Sequence, residues 1–221
     1  MTTPRTPGPS GAVSELLERG LEELGLPAEI GQLEALSGFA DRVAEWGARL
    51  NLSGHRQPDS IARHLVLGAA ALCKQLPDLA SLNDLGSGAG FPGIPIAILR
   101  PGCAVHLVEA RERRYHFLRD VARQFGLSNV SVERGRIERV DAKPAAGAVA
   151  QAVGPANRVV EWMLPWVEPH GWLVLPASIE SELPAERPDV VAATSLDYRV
   201  PLGGPTRRAW LARKGPSSEG A

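Results

Sequence analysis

A glycine-rich stretch at residues 82–97, LNDLGSGAGFPGIPIA, constrains the fold more than any other part of the sequence. Its glycines at positions 86, 88 and 90 lie between two apolar runs, the first of which contains an acidic residue. Glycine tolerates positive φ angles and lets a backbone approach a ligand closely. In open α/β sheets, ligands bind in such loops at the carboxyl ends of strands, where the strand order reverses. The stretch therefore predicts an α/β fold with a ligand beside the loop that follows its first strand.

Strand-like and helix-like segments alternate from residue 80 onward. Runs rich in Val, Leu and Ile predict the strands SLNDL, AVHLVEA, VSVER, GAVAQAV and GWLVLPA, and then a closing pair, DVVAATSLDYRVP and RRAWLARK. Helices are predicted between the first strands, over residues 93–99, 111–126, 136–140 and 156–166. Because strands that alternate with helices form parallel sheets covered on both faces, we expect an α/β fold with a mostly parallel seven-stranded sheet. Its closing pair is expected to be antiparallel, at one edge.

The residues before the sheet show a helical period. Apolar side chains recur there every three or four residues, which predicts three helices, over residues 13–26, 28–50 and 60–76. We therefore expect an N-terminal helical region over residues 13–79 and a sheet domain over residues 80–214. Residues 1–12 are rich in Pro, Gly, Ser and Thr and are predicted to be disordered, and residues 215–221 are predicted to form a solvated tail.

The composition excludes an excess of positive charge over the whole protein and shows no sign of a metal site or a membrane segment. The formal net charge is -1 and the pI is about 6.5, so a nucleic-acid partner requires a local cluster of arginines. The five histidines and two cysteines show no ligand spacing, so no metal is expected, and two unpaired cysteines suit a reducing compartment. No apolar run approaches the ~20 residues that span a membrane. We expect a cytoplasmic protein that does not bind membranes.

The ligand of the glycine loop has three candidates. A phosphate-binding loop needs a Lys-Ser or Lys-Thr pair after its glycines, and none follows here. A dinucleotide loop has the spacing G-x-G-x-x-G, whereas this loop has G-x-G-x-G, with Asp84 two residues before the first glycine. A carboxylate repels a pyrophosphate but attracts the α-ammonium group of S-adenosylmethionine. Asp84 therefore favours S-adenosylmethionine.

A second acid stands where a nucleoside would be bound. Glu109 ends the second predicted strand, close to the ~20-residue distance beyond the glycine loop at which an acid binds ribose hydroxyls. Dinucleotide enzymes share this acid, so it indicates a nucleoside and not one particular cofactor. The segment RGRIE, residues 134–138, follows the third predicted strand and is placed to lie along an adenine.

With these features assembled, the sequence resembles the bacterial small-subunit ribosomal RNA guanine-N7 methyltransferases, also called glucose-inhibited division protein B. The resemblance covers roughly residues 40–214 and is carried by NDLGSGAGFPGIPIAILRP, WGARLNLSG, ARHLV and EARERRYHFLRDVARQFGLSNV. It implies a Rossmann-like class I methyltransferase fold preceded by helices. It also implies S-adenosylmethionine as the cofactor and ribosomal RNA or the small ribosomal subunit as the partner, and we expect the enzyme to be a monomer.

The resemblance assigns roles to individual residues of this chain. Those implied to hold the cofactor are Asp84, Gly86, Ser87, Gly88, Gly90, Phe91, Glu109, Arg136, Ile137 and Glu138. Asp84 is implied to lie near the amine, Glu109 near the ribose, and Arg136 to Glu138 near the adenine. Gln151 stands at the catalytic position, and His64 and Arg207 are implied to bind the substrate.

The sequence departs from the family on the substrate side. Where the family has Ser-Arg-Ala and Leu-Lys-Gly, this chain has Ala150-Gln151-Ala152 and Leu175-Pro176-Ala177. Each change removes a cation, and cations supply most of the affinity for RNA phosphates. Methylation of guanine N7 needs no general base, so an active enzyme and a divergent S-adenosylmethionine-binding regulator both remain open. A nicotinamide oxidoreductase is a third alternative, which rests only on the glycine loop and the strand-end acid.

Overall fold

The structure is a computed structural model that describes residues 11–50 and 54–216. The predicted N-terminal disorder over residues 1–10, part of the WGARLNLSG stretch, and the tail from residue 217 onward lie outside the described residues. As predicted, helices come first: α1 (Gly11–Leu24), α2 (Ile30–Leu50), α3 (Pro58–Ile61), a π-helical turn (Ala62–Val66) and α4 (Leu67–Gln75). Within the described ranges, none of the helices combines the length and the apolar character needed to cross a bilayer.

Seven strands form one sheet in the order β3-β2-β1-β4-β5-β7-β6. They are β1 (Ser81–Leu85), β2 (Ala104–Glu109), β3 (Val130–Arg134), β4 (Ala145–Val149), β5 (Val167–Ala177), β6 (Val190–Arg199) and β7 (Thr206–Lys214). Strands β1 to β5 pair in parallel, whereas β7 pairs antiparallel with both β5 and β6. The predicted sheet and its antiparallel closing pair are therefore confirmed. Because β7 enters between β5 and β6, the last strand of the described chain is an interior strand.

Side chains that alternate along the strands divide the core between the two faces of the sheet. The helices that flank the strands are α5 (Gly93–Leu99), α6 (Glu112–Gln124) and α7 (Ala156–Met163), the last extended by a 3-10 turn (Leu164–Trp166). Leu82, Leu107 and Val149 pack in one cluster with α5, α6 and the N-terminal helices. Leu85 and Val108 pack in the other cluster, against α7. Helices cover both faces, as predicted.

Helix α2 joins the N-terminal helices to the sheet domain. Phe39 is fully buried, and its ring lies 5.0 Å from that of Phe91, which follows the glycine loop. Further along the helix, the rings of Trp46 and Phe117 lie 6.1 Å apart, which joins α2 to α6. These contacts place the N-terminal helices beside the glycine loop.

The helix predicted over residues 136–140 is wrong, because the structure has a turn there. The Val140 amide donates to the Arg136 carbonyl at 3.1 Å, which closes one helical turn. The next carbonyl along, that of Ile137, accepts from Trp166 Nε1 at 3.2 Å. A five-residue segment with one carbonyl bonded to a distant side chain forms a single turn and no longer helix, since nucleation of a helix is costly.

The strand predicted as GAVAQAV is also shifted. Strand β4 begins at Ala145 and ends at Val149, and Ala152 has a φ of 56°. That left-handed conformation reverses the chain and ends the strand. Gln151 accordingly lies in a loop at the carboxyl end of β4 and not within the sheet.

Candidate active site

The loop between β1 and α5 lies where β1 is flanked by β2 and β4, the point at which the strand order reverses. Its glycines at positions 86, 88 and 90 have φ angles of 78°, 58° and 94°, which turn the chain sharply. The amides of Gly86 and Ser87 donate to the Val108 carbonyl at 2.8 and 3.1 Å, which ties the loop to β2. Gly86 and Gly88 are partly exposed. Their backbone is therefore the part of the loop that can meet a ligand.

Two other loop residues named from the sequence have internal contacts. The Ser87 hydroxyl is buried and donates to the Asp84 carbonyl at 2.8 Å. A Cβ at Gly90 would lie 2.8 Å from Ile94 Cγ1 and 3.1 Å from Leu118 Cδ2. Gly90 therefore lets α5 and α6 pack closely under the loop. A direct contact of Ser87 or Gly90 with a cofactor stays a prediction.

Asp84, at the carboxyl end of β1, has a side chain that is only 1% exposed. Its Oδ2 accepts from the amide of Gly93, the first residue of α5, at 2.9 Å. Burial raises the pKa of Asp84 to about 7; the Gly93 hydrogen bond opposes this rise, and the charge of Glu109 adds to it. A desolvated carboxylate beside a second acid is stabilised by a positive ligand and destabilised by a phosphate.

Glu109, at the end of β2, lies against the glycine loop and is 6% exposed. Its Oε2 accepts from the Gly88 amide at 2.9 Å, and its Oε1 accepts from the Arg111 amide at 2.7 Å. Each carboxylate oxygen has a second lone pair, so Glu109 can also accept from the hydroxyls of a ligand. The side chain therefore fixes the loop and still has capacity to bind a sugar.

The segment after β3 comes next to Glu109. The Gly135 amide donates to the Glu109 carbonyl at 3.1 Å. Arg136 and Glu138 are exposed and form an ion pair at 3.8 Å, whereas Ile137 is partly buried against the core. The three residues named for the adenine therefore follow directly after the segment that is bonded to Glu109, and their contact with a base stays a prediction.

A cavity of about 810 Å³ opens beside the glycine loop, at the carboxyl ends of β4 and β5 and the amino end of the antiparallel strand β7. Its walls are the loop after β4, the end of β5 and the start of β7. Val153 joins the cavity to the glycine loop, because a Cβ at Gly86 would overlap the Val153 methyl group Cγ1. Gln151 and Pro176, at the positions where the family has cations, both line the cavity. Of the described lining residues, only Glu182 and Arg207 carry a charge.

His64, Gln151 and Arg207, which the sequence named for catalysis and substrate binding, line a second, small cavity of about 20 Å³. Gln151 and Arg207 also line the larger cavity, so they connect the two. The rings of His55 and His64 stack at 4.8 Å. Burial lowers the pKa of His64, and the charges of His55, Arg63 and Arg207 lower it further. The positive charge of Arg63 and Arg207 next to His64 is suited to an anion such as phosphate.

Phe91 contacts the small cavity, and its predicted contact with the cofactor stays a prediction. It lines the small cavity with His64 and Arg207, whereas the sequence named it for the cofactor. Sequence reasoning did not find Tyr198, which lines the same cavity and whose pKa burial raises to about 12. It also did not find Glu182, which lines the larger cavity. No local pattern marks these two residues, because Glu182 lies in an irregular connection after β5 and Tyr198 in β6, far along the chain from the glycine loop.

Replacing Gly86 by alanine is expected to destabilise the fold by about 2–3 kcal/mol, because the new methyl group meets both strain and overlap. The φ of 78° is unfavourable for a residue with a Cβ, and the side chain of Val153 occupies the space. Gly88→Ala is the matched control, since its φ is 58° but no atom lies closer than 3.8 Å, so strain alone should cost about 1 kcal/mol. Urea unfolding measures both. The overlap with Val153 would be contradicted if Gly86→Ala and Gly88→Ala lost equal stability. It would also be contradicted if adding Val153→Ala to Gly86→Ala restored no stability.

Comparison with known proteins identifies relatives over most of the chain. The model of a family described as rRNA small subunit methyltransferase G matches residues 32–202. A Halorhodospira halophila protein named ribosomal RNA small subunit methyltransferase G is 30% identical over 197 residues, which cover 88% of this chain and 93% of the relative. A protein of the same name from Streptomyces coelicolor is 37% identical over 135 residues, which cover 60% of this chain and 56% of the relative. The chain thus spans little more than half the length of the Streptomyces protein.

Solved structures confirm the fold. The crystal structure of a putative O-methyltransferase from Klebsiella pneumoniae superposes with a TM-score of 0.57 and covers 92% of this chain and 96% of that chain. The sequence identity is 18%, so this similarity is evidence for the fold alone. Together with the strand order, it establishes the predicted Rossmann-like methyltransferase sheet with N-terminal helices.

Proposed function

Since the chain belongs to the rRNA small subunit methyltransferase G family, we propose that it methylates guanine N7 of small-subunit ribosomal RNA with S-adenosylmethionine as the methyl donor. The observation that carries the proposal is the pair of buried carboxylates, Asp84 and Glu109, at a glycine loop on the switch point of the sheet. Two acids suit a ligand that carries an ammonium and a sulfonium and no phosphate.

The residues of the glycine loop fit this cofactor. Gly88 has open space where a Cβ would be, and the Arg114 guanidinium Nη1 lies 3.8 Å from that point, near enough to attract a carboxylate. We assign the ribose hydroxyls to Glu109, the amine to the field of Asp84, and the adenine to the segment of Arg136, Ile137 and Glu138. When bound, the cofactor supplies a methyl group on a sulfonium, which passes to the N7 lone pair and leaves a neutral thioether.

The substrate side supports an uncharged base as the acceptor. The larger cavity is lined by apolar groups such as Leu175 and Trp210, and Gln151 lies on its boundary with the small cavity. No lysine or histidine is among the described residues that line the larger cavity. N7 carries its own lone pair, so the chain has only to hold it ~3–3.5 Å from the methyl carbon and in line. We assign the orientation of the base to the Gln151 amide.

The RNA backbone is assigned to the cationic groups at the small cavity. Arg207 carries the positive charge that can attract a phosphate next to the target nucleotide, and a ring nitrogen of His64 can donate a hydrogen bond to that phosphate. The partner is then ribosomal RNA or the small subunit, and the enzyme acts as a monomer in the cytoplasm, where its substrate is found. No metal takes part in this chemistry.

Two measurements test the proposal. Isothermal titration calorimetry should show S-adenosylmethionine binding at one site, and small ribosomal subunits that lack the modification should gain 7-methylguanosine when incubated with enzyme and cofactor. Absence of cofactor binding would overturn the whole proposal. Cofactor binding without any methylation of subunits or of free ribosomal RNA would overturn the assignment of the substrate.

Replacing Glu109 by glutamine is expected to weaken cofactor binding by about 1.5–3 kcal/mol, the range for a hydrogen bond to a charged group. The amide nitrogen of glutamine cannot accept from the amides that Glu109 now holds at 2.9 and 2.7 Å. Glu112→Gln is the control, because it removes the same charge from an exposed ion pair with Arg134. Calorimetry measures both affinities, and an unchanged affinity of Glu109→Gln would contradict the sugar-binding role.

A further inference from the structure

A segment of irregular structure, residues 178–185, borders the mouth of the larger cavity after β5 ends. Hydrogen bonds within the segment and to its neighbours hold it. Ser178 Oγ and Ser181 Oγ are 2.9 Å apart, Arg208 Nη1 donates to the Ile179 carbonyl at 3.1 Å, and the Ala185 amide donates to Asn157 Oδ1 at 2.8 Å. The segment is therefore attached at both ends, to β7 and to the start of α7, and the residues between are held at the cavity.

Glu182 is the acid that this segment brings to the cavity. It is the single carboxylate among the described lining residues, and in the part of the chain that the structure describes it makes no ion pair or hydrogen bond. The arginines nearby have other partners: Arg208 pairs with Asp197 at 2.7 Å, and Arg187 pairs with Asp189 at 2.9 Å. Arg207 is the other charged residue that lines the cavity, and in the described part of the chain the two side chains form no ion pair. The Glu182 carboxylate therefore keeps its lone pairs for a ligand that presents N–H donors.

Guanine presents such donors on one edge. Its N1–H and N2–H₂ groups lie side by side on the Watson–Crick edge, across the ring system from N7, and a carboxylate can accept from both at once. Enzymes that act on a base commonly take it out of the stack and recognise this edge in a pocket. The cavity volume of about 810 Å³ lies within the ~300–1,000 Å³ range of small-ligand pockets.

A carboxylate at the Watson–Crick edge also lowers the barrier to methyl transfer. When N7 gains a methyl group the ring becomes cationic, and its N1–H becomes a stronger donor. A carboxylate that accepts from N1–H then binds the transition state more tightly than the ground state. Glutamine at this position would lack the negative charge, and its amide N–H₂ group would face the N–H donors of the base.

We propose that Glu182 is a specificity residue that binds the N1–H and N2–H₂ groups of a flipped guanine in the larger cavity. Leu175 and Trp210 then contact the base plane, and Gln151 stands at the side of the cavity where the glycine loop begins. This inference rests on the proposed function, since it assumes that a guanine is the methyl acceptor.

The test compares Glu182→Gln, Glu182→Asp and the control Glu180→Gln, an exposed acid of the same segment that does not line the cavity. Transfer from labelled S-adenosylmethionine is measured on ribosomal RNA with guanosine, or with inosine inserted by ligation, at the modified position. Inosine lacks N2–H₂. The wild-type rate should fall by ~5–20-fold on inosine, and Glu182→Gln should lose ~10–100-fold on guanosine while its guanosine-to-inosine ratio falls towards one.

The outcomes separate the two proposals. Glu182→Asp should recover part of the rate, Glu180→Gln should match the wild type, and all variants should bind S-adenosylmethionine with the wild-type affinity. If the wild type methylates guanosine and Glu182→Gln keeps both its rate and its preference over inosine, the role of Glu182 is overturned and the proposed function stands. If the wild type methylates no ribosomal RNA, the proposed function itself fails, and the assignment of Glu182 fails with it.

Discussion

Replacing Asp84 by asparagine is expected to remove a pH dependence of stability and, above pH 7, to raise the free energy of unfolding relative to the wild type. The native pKa of Asp84 is about 7, against the ordinary 3.8 of an aspartate, and burial is the main cause. The native protein therefore binds this proton more tightly than the unfolded chain does. Stability falls as the pH rises from about 4 to about 7, and the whole loss is present above pH 7.

The size of this effect follows from the shift. A pKa that is about three units high corresponds to about 4 kcal/mol, at ~1.4 kcal/mol per unit. Asparagine cannot ionise, and its Oδ1 can still accept from the Gly93 amide. The difference in unfolding free energy between variant and wild type should therefore change by about 4 kcal/mol in favour of the variant between pH 4 and pH 8.

The same substitution should weaken cofactor binding. In the wild type, the affinity for S-adenosylmethionine should rise as Asp84 ionises around pH 7, because the carboxylate favours a cationic ligand. In the variant this rise should be absent, and the affinity at pH 8 should be at least ~10-fold lower. Urea unfolding and calorimetry at pH 5, 6, 7 and 8 measure both effects. Asp141→Asn, an exposed acid, is the control, and a wild type whose stability is flat from pH 5 to 8 would contradict the buried-acid account.

Replacing Gly93 by alanine is expected to destabilise the protein by about 3–5 kcal/mol. Its Cβ would lie 2.5 Å from Asp84 Oδ2 and would overlap a methyl group of Leu107, and both neighbours are buried. Overpacking a core costs about 1–3 kcal/mol, and loss of the hydrogen bond to the Asp84 carboxyl adds about 1.5–3 kcal/mol. Helix α5 would shift away from β1, so the glycine loop between them should also bind the cofactor more weakly.

The control for this variant is Gly31→Ala. Gly31 lies in the first turn of α2 and has no heavy atom within 4 Å of an added Cβ, so the substitution should be neutral or slightly stabilising. Urea unfolding compares the two alanine variants. In an Asp84→Ala background, the cost of Gly93→Ala should fall, because one of the two overlapping groups is gone. If the losses in free energy of unfolding caused by Asp84→Ala and Gly93→Ala simply add in the double variant, a direct contact between the two side chains is contradicted.

The sequence predicted most of the fold because its elements carry strong local signals. The helix predicted over residues 93–99 has the observed bounds of α5. Its short apolar run lies between a boundary marked by glycine and proline and a tight turn, and both are visible in the sequence. Prediction failed at residues 136–140, where the outcome depends on a distant indole, that of Trp166. It also extended β4 through Gln151, because the left-handed Ala152 that ends the strand carries no sequence signal.

The candidate site divides in the same way. The residues proposed for the cofactor lie in contiguous stretches around Gly86 and Glu109, so spacing along the chain was sufficient to predict that the structure brings them together. The residues proposed for the substrate, Gln151, Glu182 and Arg207, come from two connections and from strand β7, and their proximity follows from the strand order. Asp84 was named for an amine, and its hydrogen bond to Gly93 shows that it also holds the start of α5. That second role was not readable without the packing.

The interior place of β7 sets an order of events during synthesis on the ribosome. Strands β1 to β4 and the glycine loop emerge first and can pair with one another, whereas β6 has no partner until β7 has left the exit tunnel. Thr206, Arg207 and Trp210 reach the larger cavity only when β7 slides between its two neighbours. The part of the chain that forms the glycine loop can therefore assemble before the larger cavity is complete.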